Sequence, residues 1–479
     1  MAIGTTIKTI QDIMRKDTGV DGDAQRIGQL VWMLFLKILD DREIEKETAK
    51  KRYRSPIPDE LRWQAWAADP EGITGDTLLA FVNNELFPGL KGLPGTDPLS
   101  SVVRSVFEDA YNYMKSGTLL RQVVNKLNEI DLNRSSDKHE IGGIYEQILS
   151  DLRGAGNAGE YYTPRAVTEF MVERVDPKLG ETVLDPACGT GGFLTCAIKH
   201  LRKYGKTDAD ERTIQASLRG IEKKPLPHLL CMTNMVLHEI DAPTQIRRDN
   251  ALRRSIADYG PRDKVDVILT NPPFGGIEED GIENAFPSAF RTRETADLFL
   301  YLLTVLLRDG GRAALVLPDG TLFGEGVKTR LKERLLTECD LHTIVRLPKG
   351  VFNPYTGIKT NLLFFTKGKP TTEVWYYEHP YPSGYKSYSK TKPMRIEEFG
   401  PERTWWNERK ETEQAWKVSI EDIKARGYNL DIKNPRAVED GPGDAEELLR
   451  EYRALSAEVA EVRDRLRDEL RASLEGAAR

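Results

Sequence analysis

At 479 residues the chain is too long for one ordinary hydrophobic core, and about 150 residues per domain predicts roughly two to four structural units. Its net charge of -6 excludes a uniformly basic nucleic-acid-binding protein, so a nucleic-acid partner has to meet a local basic patch. The 4 cysteines and 6 histidines lack the spacing of a disulfide framework or a zinc site, so we expect a reduced, cytoplasmic protein without a metal. The most apolar window, residues 30–39, is too short to cross a membrane, so no membrane partner is expected.

Residues 1–135 are predicted to form an N-terminal helical domain, because apolar residues recur there with a period close to 3.6. The stretch from Ile27 to Leu39 is apolar nearly all round, which indicates a buried helix. Large apolar side chains after it are further core candidates, namely Trp63, Trp66, Phe81, Leu86 and Phe87.

A loop rich in glycine and aromatic residues follows, at 154–164, and contains Glu160, Tyr161, Tyr162 and Thr163. Thr163 in front of Pro164 predicts a helix start, with an amphipathic helix over residues 166–175. A loop of this composition is typical either of a ligand contact or of a plain entry into a domain.

The next motif, residues 181–194, is a short apolar strand, a glycine-dense turn and the start of a helix. Glycines let the backbone approach a ligand closely, and the first turn of a helix presents unpaired N–H groups to it. Asp185 at the end of the strand suits a cationic or hydroxylated ligand better than a pyrophosphate. The spacing of Gly189, Gly191 and Gly192 also differs from that of a dinucleotide-binding turn, so we predict a pocket for a different nucleoside-bearing ligand.

Two more predicted strands end in polar residues. One ends in Glu222, a position that in doubly wound sheets takes ribose hydroxyls, and the other ends in Asp249 and Asn250, a pair suited to an adenine edge. Open α/β sheets bind their ligands at the carboxyl ends of parallel strands. These residues are therefore expected to meet Asp185 at one edge of the sheet.

The fourth predicted strand, residues 265–269, stops at Asn271-Pro272-Pro273-Phe274, since the prolines prevent further ladder hydrogen bonds. The turn presents an amide oxygen, rigidly held carbonyls and an aromatic ring, which suit a planar ligand that carries an amino group. Taken alone, Asn-Pro-Pro is equally typical of a turn that only ends a strand.

The remaining residues predict further alternating strands and helices up to residue 366, and therefore a mostly parallel sheet covered by helices. Residues 277–295 have no clear period and are expected to form a mobile loop beside the site. Aromatics and lysines interleave over 375–392, a composition typical either of contact with a nucleic-acid backbone or of a surface hairpin. We place the catalytic domain at residues 136–400.

The C-terminal region, residues 401–479, ends in a heptad-like series that predicts a helix docked on a partner rather than on its own domain. The apolar positions of that series are Leu448, Tyr452, Leu455, Val459, Val462, Leu466 and Leu470.

The order of these motifs closely resembles that of amino-methylating DNA methyltransferases, and within them the modification subunit of type I restriction-modification systems. Residues 160–164, 347–353, 356–361 and 427–431 carry the narrower likeness. The resemblance implies the α/β class: a Rossmann-like S-adenosylmethionine-dependent methyltransferase sheet with an N-terminal helical domain and a C-terminal helical tail.

The resemblance also implies roles for individual residues. The catalytic turn would be Asn271, Pro272, Pro273 and Phe274, where Asn271 and the Pro272 carbonyl accept from the target amine and Phe274 stacks on the extruded base. S-adenosyl-L-methionine would be held at its methionine part by Asp185 and the glycine loop, at its ribose by Glu222 and at its adenine by Asp249 and Asn250. The cofactor-binding set is Glu160, Tyr161, Tyr162, Thr163, Asp185, Pro186, Gly189, Thr190, Gly191, Gly192, Phe193, Glu222, Asp249, Asn250 and Ala251.

The implied activity is methylation of adenine N6 in double-stranded DNA by a subunit that depends on others. The implied partners are a separate specificity subunit, a second copy of the modification subunit and, in a full system, a motor and nuclease subunit. The sequence contains no helix-turn-helix or zinc-finger pattern, which favours a separate source of sequence choice. Methylation of cytosine N4 or of a protein glutamine suits the same chemistry, and a non-catalytic scaffold is disfavoured by the polar residues at four strand ends.

Overall fold

The computed structural model describes residues 3–108, 110–130, 145, 162–389, 391–436 and 445–476. By its internal contacts the chain divides into two compact units, Met1–Ile432 and Lys433–Arg479. The first unit holds both an N-terminal group of helices and the sheet, and the second holds a long helix.

The N-terminal part is helical, as predicted, and its second helix is deeply buried. Every residue from Ile27 to Asp41 is buried, and its charged members are paired: Lys37 Nζ lies 2.9 Å from Asp41, and Asp40 accepts from Arg62 Nε at 2.6 Å. Pairing is what permits charged groups inside a core. The helices are α1 Ile3–Met14, α2 Asp23–Ala49, α3 Trp63–Trp66, α4 Gly75–Phe81, α5 Phe87–Lys91, α6 Pro98–Glu108 and α7 Gly117–Asn128, with a π-helical turn Val82–Leu86 between α4 and α5.

The predicted aromatic core of this region is confirmed. Trp63, Trp66, Leu86 and Phe87 are buried, and Phe81 packs against the same cluster. These large rings supply most of the apolar area that holds the short helices together.

Arg42 on α2 joins the helical region to the sheet region. Its guanidinium donates to the carbonyls of Val236 and Ile240, at 3.1 Å each, and contacts the carboxylate of Asp241 at 2.8 Å. A cation at these carbonyls satisfies acceptors that the end of a helix leaves unpaired.

The centre of the fold is a nine-stranded sheet in the order β3-β2-β1-β4-β5-β7-β6-β8-β9. The strands are β1 Val183–Asp185, β2 Leu218–Glu222, β3 Ile246–Arg248, β4 Val265–Thr270, β5 Leu307–Pro318, β6 Cys339–Arg346, β7 Thr360–Lys367, β8 Glu373–Glu378 and β9 Ala415–Ser419. β7 is antiparallel to β5 and β6, and β9 is antiparallel to β8, while the other pairs are parallel. The carboxyl ends of β1 to β6 and of β8 therefore lie at one edge of the sheet, which we call the carboxyl edge.

Helices cover both faces of the sheet, and the predicted α/β class is confirmed. Neighbouring residues on β7 alternate between the two hydrophobic clusters, since Leu362 and Phe364 belong to one cluster and Leu363 and Phe365 to the other. The covering helices are α8 Arg165–Val175, α9 Gly192–Arg202, α10 Asp208–Ser217, α11 Pro225–Leu237, α12 Thr295–Leu306, α13 Asp319–Phe323, α14 Val327–Glu338, α15 Gly400–Asn407 and α16 Ile420–Ala425.

The segment over 375–392 differs from both of its predicted forms at its beginning. Residues 375–377 belong to β8, where Tyr376 and Tyr377 are buried in the sheet. The rings are there because β8 is flanked by β6 and β9 and needs apolar cover on both faces. Only the part after Glu378 leaves the sheet.

The predicted C-terminal region, residues 401–479, is divided between the two units. Residues up to Ile432 belong to the first unit, in which β9 pairs with β8, and the second unit contains α17, Ala445–Gly476. None of the described helices combines the length and hydropathy that crossing a bilayer requires.

Candidate functional site

A cavity of about 300 Å³ opens at the carboxyl edge, between the ends of β1, β2 and β4. Its size lies at the lower end of the range for small-molecule sites. Its walls are formed by Thr163, Asp185, Ala187, Cys188, Gly189, Thr190, Gly192, Phe193, Glu222, Lys223, Lys224, Asn271, Pro273, Gly276, Ile277, Glu278 and Thr295.

The glycine loop after β1 packs so closely on α11 that one position tolerates only glycine. Gly191 has a φ of +81°, and a Cβ atom there would lie 2.8 Å from the Cys231 sulfur. Asn234 on α11 also donates to the Thr190 carbonyl at 3.0 Å, which fixes the loop. Helix α9 begins directly after it, so its free N–H groups lie beside the cavity.

Asp185 is a buried carboxylate at the floor of the cavity, with 1% of its surface exposed. It accepts from the Thr270 hydroxyl at 2.7 Å and from the Ala187 N–H at 3.1 Å, and it has no ion-pair partner among the described residues. Burial raises the pKa of this carboxyl to about 7, against the lowering effect of those two hydrogen bonds. A carboxylate in this position favours a cationic group on a ligand.

Glu222 ties the glycine loop to the end of β2. Its carboxylate accepts from the Gly189 N–H at 2.9 Å and from the Lys224 N–H at 2.7 Å. Its backbone carbonyl accepts from the Asp249 N–H at 3.0 Å, so the ends of β2 and β3 are also joined. The carboxylate lines the cavity on the side away from β4.

The Asn271 side chain closes the cavity on the β4 side. Its amide nitrogen donates to the Thr163 hydroxyl at 3.0 Å, while its amide oxygen is buried and has no hydrogen-bond partner among the described residues. Because this acceptor belongs to a residue that lines the cavity, it is able to accept from a donor group on a ligand. Thr163 was predicted to start α8, but that helix begins one residue after Pro164 and the hydroxyl contacts Asn271 instead.

The rest of the Asn-Pro-Pro-Phe turn lies around this amide. Pro272 is buried and Pro273 lines the cavity. The Phe274 ring packs edge-on against Phe352, with 5.5 Å between centroids and 76° between planes. Phe274 is only partly buried, so part of its surface is free to contact a ligand.

Glu278 and Lys223 line the cavity although no motif in the sequence predicts a role for them. Glu278 is buried, with 8% of its surface exposed. Its carboxylate accepts from Lys223 Nζ at 3.0 Å and from the Asn250 amide at 3.1 Å. It thereby holds the loop after the catalytic turn, residues 275–294, against the ends of β2 and β3. Their closeness in sequence to Glu222 and to Phe274 was the only signal, because the two partners are 55 positions apart in the chain and no sequence pattern reveals their contact.

The structure brings part of the predicted site together. The predicted residues that line the cavity are Thr163, Asp185, Gly189, Thr190, Gly192, Phe193, Glu222, Asn271 and Pro273. Tyr162, Pro186, Gly191, Asp249, Asn250, Ala251, Pro272 and Phe274 do not line it. The Asn250 amide is occupied by Glu278 and by the Leu252 N–H, and the exposed Asp249 accepts from the Asn250 N–H. Glu160 and Tyr161 lie outside the described residues.

A largely parallel sheet with a glycine loop after β1, an acid at the end of β2 and an Asn-Pro-Pro turn after β4 is the arrangement expected of the methyltransferase class. The N-6 DNA Methylase family matches residues 136–442, and the HsdM N-terminal domain matches residues 3–127. The chain therefore belongs to the N-6 DNA methylase family, and within it to the modification subunits of type I restriction systems.

Similar sequences and similar solved structures belong to the same family. The chain is 62% identical to the type I restriction enzyme EcoEI methylase subunit of Escherichia coli, over 99% of both chains. A modification subunit of a putative type I restriction enzyme from Vibrio vulnificus YJ016 has a TM-score of 0.83 and 46% identity, covering 91% of this chain and 97% of that one. A chain from a type I restriction-modification system studied for complex assembly has a TM-score of 0.81 and 38% identity, covering 97% and 98%.

Replacing Glu278 with alanine is expected to release the loop over residues 275–294. The change removes the acceptor shared by Lys223 and Asn250, which lowers the cost of opening the loop by about 1–2 kcal/mol and accelerates its cleavage roughly tenfold. Limited trypsin digestion followed by mass spectrometry measures cleavage after Arg291 and Arg293.

Glu279→Ala is the matched control for this experiment. Glu279 also contacts Lys223, at 3.1 Å, but its side chain is 66% exposed, so its removal should leave cleavage near the wild-type rate. Equal cleavage of Glu278→Ala and the wild type would show that the carboxylate does not hold the loop.

Proposed function

We propose that this chain transfers a methyl group from S-adenosyl-L-methionine to the N6 amine of adenine in double-stranded DNA, as the modification subunit of a type I restriction-modification complex. The observation that carries the proposal is the unpaired amide oxygen of Asn271, a residue that lines the same cavity as Asp185 and Glu222. One cavity thus offers an acceptor for an amine and acids for a cationic, hydroxyl-bearing cofactor.

The residues of the cavity fit the cofactor by their chemistry. Asp185 is buried without a cationic partner among the described residues, which suits the ammonium end of the cofactor. Glu222 suits ribose hydroxyls, and Gly189 and Gly192, which line the cavity, place no side chain in it. When bound, the cofactor supplies a methyl group on a positively charged sulfur.

Glu278 and Lys223 form the remaining wall on the β2 and β3 side, where Asp249 and Asn250 were predicted to hold adenine. Since the Asn250 amide is already bonded to Glu278, we assign the side chain of Asn250 to holding the 275–294 loop. Asp249 at the exposed end of β3 remains the proposed acceptor for the adenine amine of the cofactor.

The chain's task in the reaction is to make a poor nucleophile reactive. The lone pair of an aromatic amine is delocalised into its ring, and acceptors placed beside the nitrogen favour a pyramidal geometry in which the lone pair is available. Asn271 and the Pro272 carbonyl are the proposed acceptors, and they also stabilise the positive charge that develops on nitrogen. The proton leaves after transfer, so a strong general base is unnecessary.

The target adenine has to leave the DNA stack to reach this turn. Phe274 is the proposed stacking surface, and its edge-on contact with Phe352 fixes the direction of its ring. Cytosine N4 would fit the same acceptors, and so would a glutamine amide, but the family of this chain favours adenine in DNA.

Sequence choice is assigned to a separate specificity subunit, and α17 is its proposed docking helix. Within the described part of α17 the exposed apolar side chains are Leu449, Tyr452, Leu455, Val459, Val462 and Leu466. From Tyr452 onward they repeat every three or four residues, as in a coiled-coil seam. Leu448 and Leu470 of the predicted seam lie outside the described side chains. The proposed complex also contains a second copy of this chain and, for restriction, a motor and nuclease subunit.

Asn271→Ala should lower methyl transfer at least about 100-fold while leaving cofactor affinity near the wild-type value, because the oxygen acts on the target amine alone. Transfer of tritiated methyl to unmodified genomic DNA, by the complex with its specificity subunit, measures the rate, and calorimetry measures cofactor binding. Mass spectrometry of the hydrolysed DNA distinguishes N6-methyladenine from N4-methylcytosine.

Asn84→Ala, at an exposed position in the helical region, is the control and should transfer at the wild-type rate. Near-normal turnover by Asn271→Ala would contradict the proposed role of Asn271 in activating the target amine. Methyl groups on protein glutamine or on cytosine would identify one of the two alternative reactions.

Cofactor affinity is expected to rise between pH 6 and pH 8, because burial raises the pKa of Asp185 to about 7 and only the ionised carboxylate attracts a cation. The ionised fraction, and with it the affinity, rises roughly tenfold over that interval. The stability of the unliganded fold changes in the opposite direction. Because the pKa of Asp185 is raised in the folded state, the folded state binds its proton more tightly than the unfolded state does, and the free energy of unfolding falls as the pH rises through 7.

Calorimetry with S-adenosylhomocysteine, which has the same ammonium group, measures this pH dependence. Asp185→Asn should bind weakly at every pH. A wild-type affinity that stays constant from pH 6 to pH 8 contradicts the assignment of Asp185.

Val459→Asp with Val462→Asp should abolish capture of the specificity subunit. The two side chains are 65% and 55% exposed, so the fold of the chain itself is expected to survive while the seam loses its apolar character. Arg453→Asp with Ala457→Asp, off the seam of the same helix, is the matched control. Co-purification of the two subunits is the measurement, and undiminished capture by the seam variant would place the docking surface elsewhere.

A further inference from the structure

Two loops beside the catalytic turn carry a charge opposite to that of the whole chain. Residues 347–359 and 379–396 contain no aspartate or glutamate, although the chain as a whole has 75 acidic residues and a net charge of -6. We call these two loops together the basic platform. Its described lysines and arginine are Lys349, Lys359, Lys386, Lys392 and Arg395, while Lys390 lies outside the described residues.

The cations of the platform are available to a partner. Lys349, Lys359, Lys386, Lys392 and Arg395 are all exposed, and none forms an ion pair with a described residue. Elsewhere in the first unit many surface cations have carboxylate partners, such as Arg254 with Asp263 at 2.6 Å. These cations have no carboxylate within ion-pair distance among the described residues, although Glu397 and Glu398 follow the second loop directly. The platform therefore keeps a net positive charge, which attracts a polyanion.

The topology places the platform next to the catalytic turn. Loop 347–359 follows β6 and loop 379–396 follows β8, and both strands run in the direction of β4. Both loops therefore leave the sheet at the carboxyl edge, where Asn271 follows β4. Phe352 on the first loop contacts the Phe274 ring directly.

The two loops are fastened to each other around a buried tyrosine. Tyr388 has 1% of its surface exposed, and its carbonyl accepts from the Asn353 amide at 2.9 Å. The Tyr381 hydroxyl donates to the Lys349 carbonyl at 2.9 Å. Gly350 has a φ of +84°, and a Cβ there would lie 2.9 Å from the Tyr388 carbonyl, so the loops touch backbone to backbone. The two loops of the platform are thus held together as one unit, and this unit includes Phe352.

We propose that the basic platform binds the DNA sugar-phosphate backbone beside the adenine that enters the catalytic turn. The proposal rests on the proposed function and adds the surface through which this chain holds its substrate. Lysines suit this task because phosphate contacts need point charges without base recognition. Holding the backbone stabilises the extruded nucleotide, and the contact between Phe352 and Phe274 links that hold to the stacking ring.

The test is the salt dependence of DNA binding by the complex with its specificity subunit. The variant is Lys349→Ala, Lys386→Ala and Lys392→Ala together, and the probe is a fluorescein-labelled duplex of mixed sequence, with S-adenosylhomocysteine present. Anisotropy at several salt concentrations gives the slope of log Kd against log salt. That slope should fall by about 0.9 for each phosphate that the variant no longer neutralises, while cofactor affinity stays unchanged.

Two further variants make the result specific. Replacing the same three lysines with arginine keeps the charge and should restore the slope. Lys199→Ala, Lys203→Ala and Lys206→Ala remove three exposed cations near the end of α9, which runs away from the carboxyl edge, and should leave the slope unchanged.

Each outcome bears on one claim. The platform proposal is overturned if the slope of the platform variant is unchanged, or if the slope of the α9 variant falls equally. In either case methyl transfer by the wild type still supports the proposed function. Dissociation of the specificity subunit from the platform variant, seen by size-exclusion chromatography, would make the platform a protein interface and likewise overturn the proposal. A wild-type complex that binds DNA with the expected slope yet transfers no methyl group contradicts the proposed function alone.

Discussion

The orientation of one amide group, that of Asn271, is the constraint on which the site depends. The hydrogen bond from its nitrogen to Thr163 leaves the amide oxygen buried without a partner among the described residues. An unpaired buried acceptor costs about 1–3 kcal/mol, and the prolines that follow prevent the turn from relaxing into the ladder. In the proposed reaction the target amine donates to this oxygen and offsets the cost. The fold would then hold the acceptor in place before the substrate arrives.

The register between β1 and β4 fixes the position of Asp185 relative to Asn271. It thereby links the proposed cofactor side of the cavity to the proposed amine side. Val183 pairs with Val267 and Leu184 with Ile268, so the ends of β1 and β4 lie side by side and the Thr270 hydroxyl reaches Asp185. A shift of one residue would turn Thr270 to the other face of the sheet and remove its bond to the carboxylate. The alternating apolar residues of β4 resist that shift, since they fill the two cores. Packing thus fixes the distance between the two halves of the site.

The polar residues at strand ends were predictable because parallel strands bring their carboxyl ends to one edge whatever the details of packing. Asp185, Glu222 and Asn271 were found in this way. The contact of Glu278 with Lys223 was not, because it depends on how the 275–294 loop folds back over the sheet. β8 was missed for a different reason. Its residues are mostly aromatic, and the lysines that follow it make the whole segment resemble an exposed one. Composition alone does not separate these two cases.

The distribution of charge at the carboxyl edge explains how an acidic chain can hold DNA. Asp185 and Glu222 line the cavity, and further acids lie on the 275–294 loop, whereas the two loops farther along the edge contain none. Cations on these loops can grip any sequence, because phosphates are alike along the duplex. Phe274 adds a flat stacking surface, which also tolerates every base. In the part of this edge that the structure describes, the lysines, the ring and the amide would contact phosphates, a base face and an amine, and none of these contacts chooses among DNA sequences. That choice requires contacts with base edges, and these must come from another subunit.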